Sequence, residues 1–243
     1  MNRILPPLIL LTLAVRPAMA QGSDLPNPVV MIILLGALAL APFVLIMLTS
    51  FVKISVVLSI LRNAIGAQQV PPNQIITGLA FVLSIFVMVP VARQIYDAAG
   101  SINRTRDIFS EASVKSIFDA SQEGKEPLRK FLSKHSHAPD RLLFMELAAR
   151  LNGATPNIPK VDKNDFQVLV PSFVTSQLKE AFQIGFIVYI PFIIIDMVIA
   201  NILLAMGMSM LSPSVISLPF KLLLFVLVDG WFLVVRGLVL SYA

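Results

Sequence analysis

At 243 residues, with 56% hydrophobic and 14% charged side chains, the chain is far more apolar than a water-soluble protein, in which about a quarter of residues are charged. A net charge of +5 would suit nucleic acid or an anionic surface, yet no Lys/Arg block and no basic–aromatic interleaving supports a nucleic-acid face. The chain has no cysteine, so disulfides, thiol nucleophiles and cysteine-based metal sites are excluded.

In chain order, Arg3, the apolar run Leu8 to Val15 and the small-x-small pattern Ala18-Met19-Ala20 predict a secretory signal peptide over residues 1–20, cleaved after Ala20. An uncleaved amino-terminal anchor is the alternative, although the run is short for a ~30 Å hydrocarbon core. Residues 28–92 predict a first membrane hairpin. Pro28 to Val52 carry no charge, and a helix of that length crosses the core at about 1.5 Å per residue. It is expected to run on through Lys53 to Ala64. The stretch Gln68-Gln69-Val70-Pro71-Pro72-Asn73 is a turn, and Ile75 to Ala92 is a second uncharged run closed by Arg93. Lys53 and Arg62 fall on the turn side and read as topology charges, their long stems snorkelling to an interface.

Residues 93–165 hold 22 of the 33 charged residues. Asp107 to Glu111, Lys115 to Asp119, Leu128 to Leu132 and Leu142 to Leu147 repeat apolar residues at helical spacing between charges, which predicts a small, mostly helical, water-facing domain. His135 and His137 could offer two imidazoles to a metal, but there is no third ligand and Lys134 opposes a cation, so a solvated loop is expected. Gly153 to Pro159 is a linker. Residues 166–243 predict a second hairpin: Phe166 to Val174, a charged break at Lys179-Glu180, then Ala181 to Met210 with only Asp196 as a charge. A turn at Leu211 to Ser214 and Leu218-Pro219 follows, and then the run Phe220 to Val239. The fold class is all-α, a multi-pass membrane protein with two hairpins flanking a polar insert. A cleaved signal puts that insert in the periplasm, since long loops translocate largely regardless of their charge.

Ionisable residues inside apolar segments normally face a partner or a cavity, which marks Asp196, Lys221, Asp229 and Arg236. Asp196 and Lys221 flank the Pro213 turn on antiparallel segments and are expected to pair, since burying either alone costs several kcal/mol. Asp229 and Arg236 lie on one helix face and are expected to pair with other segments. Met206, Met208 and Met210 alternate around Gly207 and Ser209; flexible thioethers aimed to one side could close an apolar constriction, while methionine as core filler is the plainer reading. There is no zinc-protease, nucleophile-elbow, phosphate-loop or dinucleotide motif, hence no expected catalytic residue, metal or cofactor. The remaining enzyme reading is an intramembrane aspartyl protease using Asp196 and Asp229, without the Gly-x-Gly-Asp setting such enzymes use.

Leu61 to Gly66, Val70 to Asn73, Ser176 to Gly185, Pro191 to Asp196 and Leu218-Pro-Phe-Lys-Leu-Leu-Leu-Phe-Val-Leu-Val-Asp-Gly-Trp231 resemble the FliP/SctR family of type III secretion export-gate proteins over about residues 28–243. The resemblance implies a non-enzymatic core subunit of the basal body in the bacterial inner membrane. It would be present in several copies with FliQ/SctS-like and FliR/SctT-like partners, and unfolded secreted proteins would pass through the centre. It implies that Met208 and Met210 belong to a loop that gaskets the pore, with Ser209 where a third methionine is common. It also implies hairpins lifted largely out of the bilayer plane and packed against each other. Members serve flagella or virulence injectisomes: a cleavable signal is flagellar in character, whereas Gln68 to Asn73 and the ending Arg236 to Tyr242 are injectisome-like, and the injectisome is slightly favoured.

Overall fold

A computed structural model describes residues 28–66, 71–99, 124–153, 161–208 and 210–243. The predicted signal peptide, residues 68–70 of the first turn, the repeats at 107–111 and 115–119, most of the 153–159 linker and Ser209 lie outside the described residues. Among the described residues the chain is all helix, with no strand. The helices are α1 Pro28–Leu48, α2 Phe51–Ile65, α3 Asn73–Ala99, α4 at residues 124–134, α5 Ala138–Asn152, α6 Phe166–Ala205, α7 Pro213–Leu227 and α8 Gly230–Leu240. They fall into two compact units divided between Leu40 and Ala41. In the first, the described turns of α1 expose Met31, Ile32, Leu35, Leu38 and Leu40, a surface suited to lipid or protein and poorly suited to water.

The second unit is organised around α2. Ile54, Val57, Leu58, Leu61, Ala64 and Ile65 recur every three to four residues and are buried, the spacing that puts one helix face into a core. That face packs along α6 and against α3, with α7 also in contact. From α6 come Val168, Leu169, Phe173 and Ala181, and Gly185 permits the close approach, because a Cβ there would run into the Ile60 side chain. Gly66 ends α2 in the left-handed conformation (φ 80°), its N–H bonded to Asn63 O at 3.1 Å. Pro72 O then accepts the N–H groups of Ile75 and Ile76 at the start of α3, so the double proline initiates a helix as it ends a turn.

The expected single helix from Pro28 to Ala64 is broken at Thr49-Ser50, where the end of α1 and α2 meet at 67°. The reason is hydroxyl chemistry. Ser50 Oγ donates to Ser84 Oγ at 3.2 Å, Ser84 Oγ donates to Thr49 Oγ1 at 3.3 Å, and Thr49 Oγ1 accepts Phe51 N–H at 3.4 Å. Backbone freed by the break therefore finds side-chain partners supported by α3. The run Phe220 to Val239 is likewise two helices, α7 and α8, bent by 61°. Asp229 at the break has φ 50° and ψ 53°, a left-handed conformation uncommon outside glycine but accessible to aspartate. Gly230 follows because a Cβ there would strike the Phe225 ring, which packs edge-on to Trp231 at 5.4 Å.

Two expected boundaries move. Lys179-Glu180 does not interrupt α6, which runs unbroken for 40 residues; both residues are good helix formers and Glu180 has a partner. Pro219 lies inside α7, whose start is set by Pro213. In addition, α3 continues past Arg93 to Ala99. The described part of the polar insert docks on the helices: α5 packs along α6, and Phe131 and Leu132 of α4 belong to the same buried cluster as α2 and α6. Two described helices, residues 73–97 of α3 and all of α6, are long and apolar enough to cross a membrane, and four spans result if each bent pair counts as one.

Candidate functional site

Two ion-paired clusters and one exposed loop carry the candidate side chains. The first cluster sits where α2, α6, the α4–α5 turn and the carboxyl-terminal segment converge. Lys53 is fully buried, and its Nζ lies 2.6 Å from Glu180 Oε2. The same ammonium stands 4.0 Å over the Tyr242 ring. Glu180 holds a second partner, His137, whose Nε2 is 2.8 Å from Oε1. One turn earlier on α6, Ser176 Oγ accepts the His137 backbone N–H at 2.9 Å and donates to Asp140 Oδ2 at 2.6 Å. Gln177 Nε2 donates to His135 O at 2.8 Å, while the Tyr242 hydroxyl donates to Gln177 Oε1. Ser176, Gln177 and Glu180 thus form one polar face of α6, occupied jointly by the α4–α5 turn, by Lys53 of α2 and by Tyr242.

This overturns two expectations. Lys53 does not snorkel; it is a buried cation neutralised by a carboxylate 127 residues away. The His135 to His137 segment is not a solvated loop, since Ser136 is buried and both histidines are engaged. The 4.8 Å contact of His135 with Phe131 and the 5.0 Å contact with Tyr242 place its ring among aromatics. Burial, aided by Lys134 and Lys53, pushes its pKa down from 6.5 to about 4. Its neutral form is the one the fold accommodates, so stability is full above pH 6.5 and is lost as pH falls toward 4, where the folded state must finally take the proton. Thermal unfolding in detergent between pH 7 and pH 4 should show this loss, and His135→Gln should flatten it.

The second cluster joins α6 to α7. Lys221, 5% exposed, places Nζ 2.6 Å from Asp196 Oδ2, and Ser217 Oγ donates to Asp196 Oδ1 at 2.5 Å. Lys221, expected opposite Asp196, lies against it; Ser217, one turn before Lys221 on the same face of α7, is the addition. Among the described residues Asp229 and Arg236 enter no ion pair; the Arg236 guanidinium stands 5.8 Å over the Phe232 ring. The break between α7 and α8 leaves Asp229 at the N-cap of the helix that carries Arg236. It also separates Asp229 from Asp196: Asp229 is beyond the end of α7, roughly 12 Å along the axis from Lys221, and no hydrogen bond joins the two carboxylates. Arg62 donates to Asn73 Oδ1, linking the end of α2 to the start of α3.

The third element is the loop after α6. Gly207 takes φ 73°, its N–H bonds to Leu204 O at 3.0 Å, and Met208 N–H reaches back to Leu203 O at 2.9 Å. This pair of bonds is a Schellman stop, which satisfies carbonyls that the helix end leaves open. Its effect is to hold Met206, Met208 and Met210 at the tip between α6 and α7, 60%, 42% and 99% exposed. They are not core filler within this chain.

Long apolar helices broken at hydroxyl and carboxylate residues, with the buried cations consumed in helix-to-helix pairs, define a multi-helix protein of membrane-spanning composition whose polar interior joins elements. The chain belongs to the FliP family, which its residues 34–238 match. It is 47% identical to the Yop proteins translocation protein R of Yersinia pestis over 221 residues, 90% of this chain and 98% of that protein. It is 45% identical to the flagellar biosynthetic protein FliP of Pectobacterium carotovorum, covering 87% of this chain and 77% of that one. With the hypersensitivity response secretion protein HrcR of Ralstonia nicotianae it shares 42% identity over 87% of this chain and 96% of that one.

Proposed function

We propose that this chain is a core, non-enzymatic subunit of a type III secretion export gate in the bacterial inner membrane, and that its copies, with FliQ/SctS-like and FliR/SctT-like partners, surround the path taken by unfolded proteins. Family membership and relatives named for translocation, secretion and flagellar biosynthesis support the general role. The exposed apolar flanks of α3 and α6, including Phe81, Phe86, Phe182, Phe186 and Ile190, suit burial against other helices or lipid.

The observation that carries the mechanism is the methionine tip. An almost fully exposed Met210 beside Met206 and Met208 presents flexible, polarizable side chains that can pack against copies of themselves and reshape around a passing chain. Burying each such side chain is worth about 1.5–3 kcal/mol, enough to hold a ring shut at rest and low enough to open. Met208→Ala with Met210→Ala is expected to raise small-molecule leakage through assembled gates several-fold, measured as dye or ion flux in cells or proteoliposomes. Unchanged flux through correctly assembled complexes would sink the gasket role. An injectisome assignment, supported by the sequence around Gln68 to Asn73 and by the carboxyl-terminal segment, predicts that deletion abolishes effector secretion and leaves swimming intact.

A further inference from the structure

Residues 191–243 carry four charged side chains, Asp196, Lys221, Asp229 and Arg236. Asp196 and Lys221 are spent on each other, which leaves one acid and one base without an ion pair among the described residues. Asp229 stands at the N-cap of α8 yet makes no side-chain cap bond. The Arg236 guanidinium has the Phe232 ring for company, 5.8 Å away. Both residues are exposed, in a segment whose other exposed side chains are largely apolar.

Seven residues make close to two full turns, so the two charges lie along one side of α8, about 10 Å apart on its axis and too far for a direct bond within the helix. Phe232, Leu233 and Leu240 fall on that side at three- and four-residue spacing and are exposed, whereas Leu238, on the opposite side, is buried. Val226 and Leu227 at the end of α7 carry the exposed apolar surface up to the break. The result is a stripe with an acid at one end, a base two turns on and large apolar side chains between them. Ionisable residues in such segments are costly against lipid and normally face a protein partner or a cavity.

We propose that this stripe is a contact between copies of this chain, in which the Asp229 carboxylate of one copy receives the Arg236 guanidinium of the next. Charge complementarity selects the occupant: an identical surface brings a base for the acid and an acid for the base, whereas a lipid tail brings neither. A guanidinium can meet a carboxylate with two parallel N–H bonds, which fixes the offset between neighbours while Phe232 and Leu233 are buried between them. Copies inserted in one orientation cannot lay these stripes antiparallel, so the contact is head-to-tail, the kind that repeats around an axis. The inference rests on the multi-copy reading proposed above and adds to it the helix face and the residue pair that join neighbours.

An apolar carbodiimide joins a lysine amine to a carboxylate that touches it and leaves arginine unreacted, so Arg236→Lys makes the contact readable in the full-length chain purified with its partners. Covalent pairs of this chain should form several-fold above the unsubstituted protein. They should vanish when Asp229→Asn is added, a change that keeps a side chain tolerant of the left-handed backbone. Arg236→Glu sets carboxylate against carboxylate and should lower the yield of multi-copy complex about tenfold, whereas Arg236→Lys should retain it. Complexes that hold several copies but give no excess of covalent pairs, pairs that persist with Asp229→Asn, a link from position 236 to a different subunit, or an unaltered yield with Arg236→Glu each overturn the inference and leave the multi-copy reading standing. Complexes that hold a single copy overturn both.

Discussion

Glu180→Ala is expected to destabilise the chain by about 3–5 kcal/mol, the usual cost of stranding one member of a buried ion pair. Lys53 has no exposed surface, so its ammonium cannot recover water when the carboxylate is removed. What remains is the Tyr242 ring at 4.0 Å, and a cation–π contact offers only about 0.5–2 kcal/mol. The reverse change should be milder. Lys53→Met removes the buried charge itself, and Glu180, 26% exposed, still holds His137. Combining Lys53→Met with Glu180→Gln should therefore be more stable than Glu180→Ala alone, because no unpaired charge is left inside. Unfolding in detergent micelles would read the order. A Glu180→Ala variant as stable as the parent, or a double variant no better than the single, would show that Lys53 is not buried in the functional state.

Several of these features could be read from residue order alone, and the reasons for the others are physical. The helical class follows from uncharged runs long enough to span a bilayer, and the Asp196–Lys221 contact from two charges placed on either side of a proline turn. The breaks at Thr49-Ser50 and Val228-Asp229 are harder. Serine and threonine in an apolar run are compatible with a continuous helix, and what breaks it is Ser84, on another helix, supplying the hydroxyl partner. Lys53 looked like an interfacial charge because its carboxylate is 127 residues away. One local signal did exist: Ser176, Gln177 and Glu180 share a face of a predominantly apolar helix, and a polar face on such a helix implies occupants. Their identities, Lys53, the turn from His135 to Asp140 and Tyr242, required the tertiary fold.

Asp196→Ala is expected to cost about 3–5 kcal/mol, and more than Lys221→Met, for reasons visible in the two side chains' surroundings. The Lys221 side chain is 6% exposed and that of Asp196 37% exposed. Without Asp196, Lys221 is a nearly buried cation with neither carboxylate nor sufficient water. Without Lys221, Asp196 retains the Ser217 hydroxyl at 2.5 Å and about a third of its surface in solvent, so its charge remains partly compensated. Asp196→Asn keeps an acceptor for Ser217 and should fall between them. The pair is also the polar tie between the two helices that flank the methionine tip, since Asp196 is on α6 and Lys221 on α7. Loss of the pair frees the ends that hold Met206, Met208 and Met210, so leakage should rise together with the loss of stability. The double variant Asp196→Asn with Lys221→Met separates structure from chemistry. Recovery of stability, secretion and a closed gate would mean that the pair only sets helix register. Recovered stability with failed secretion would mean that the charges themselves act during transport.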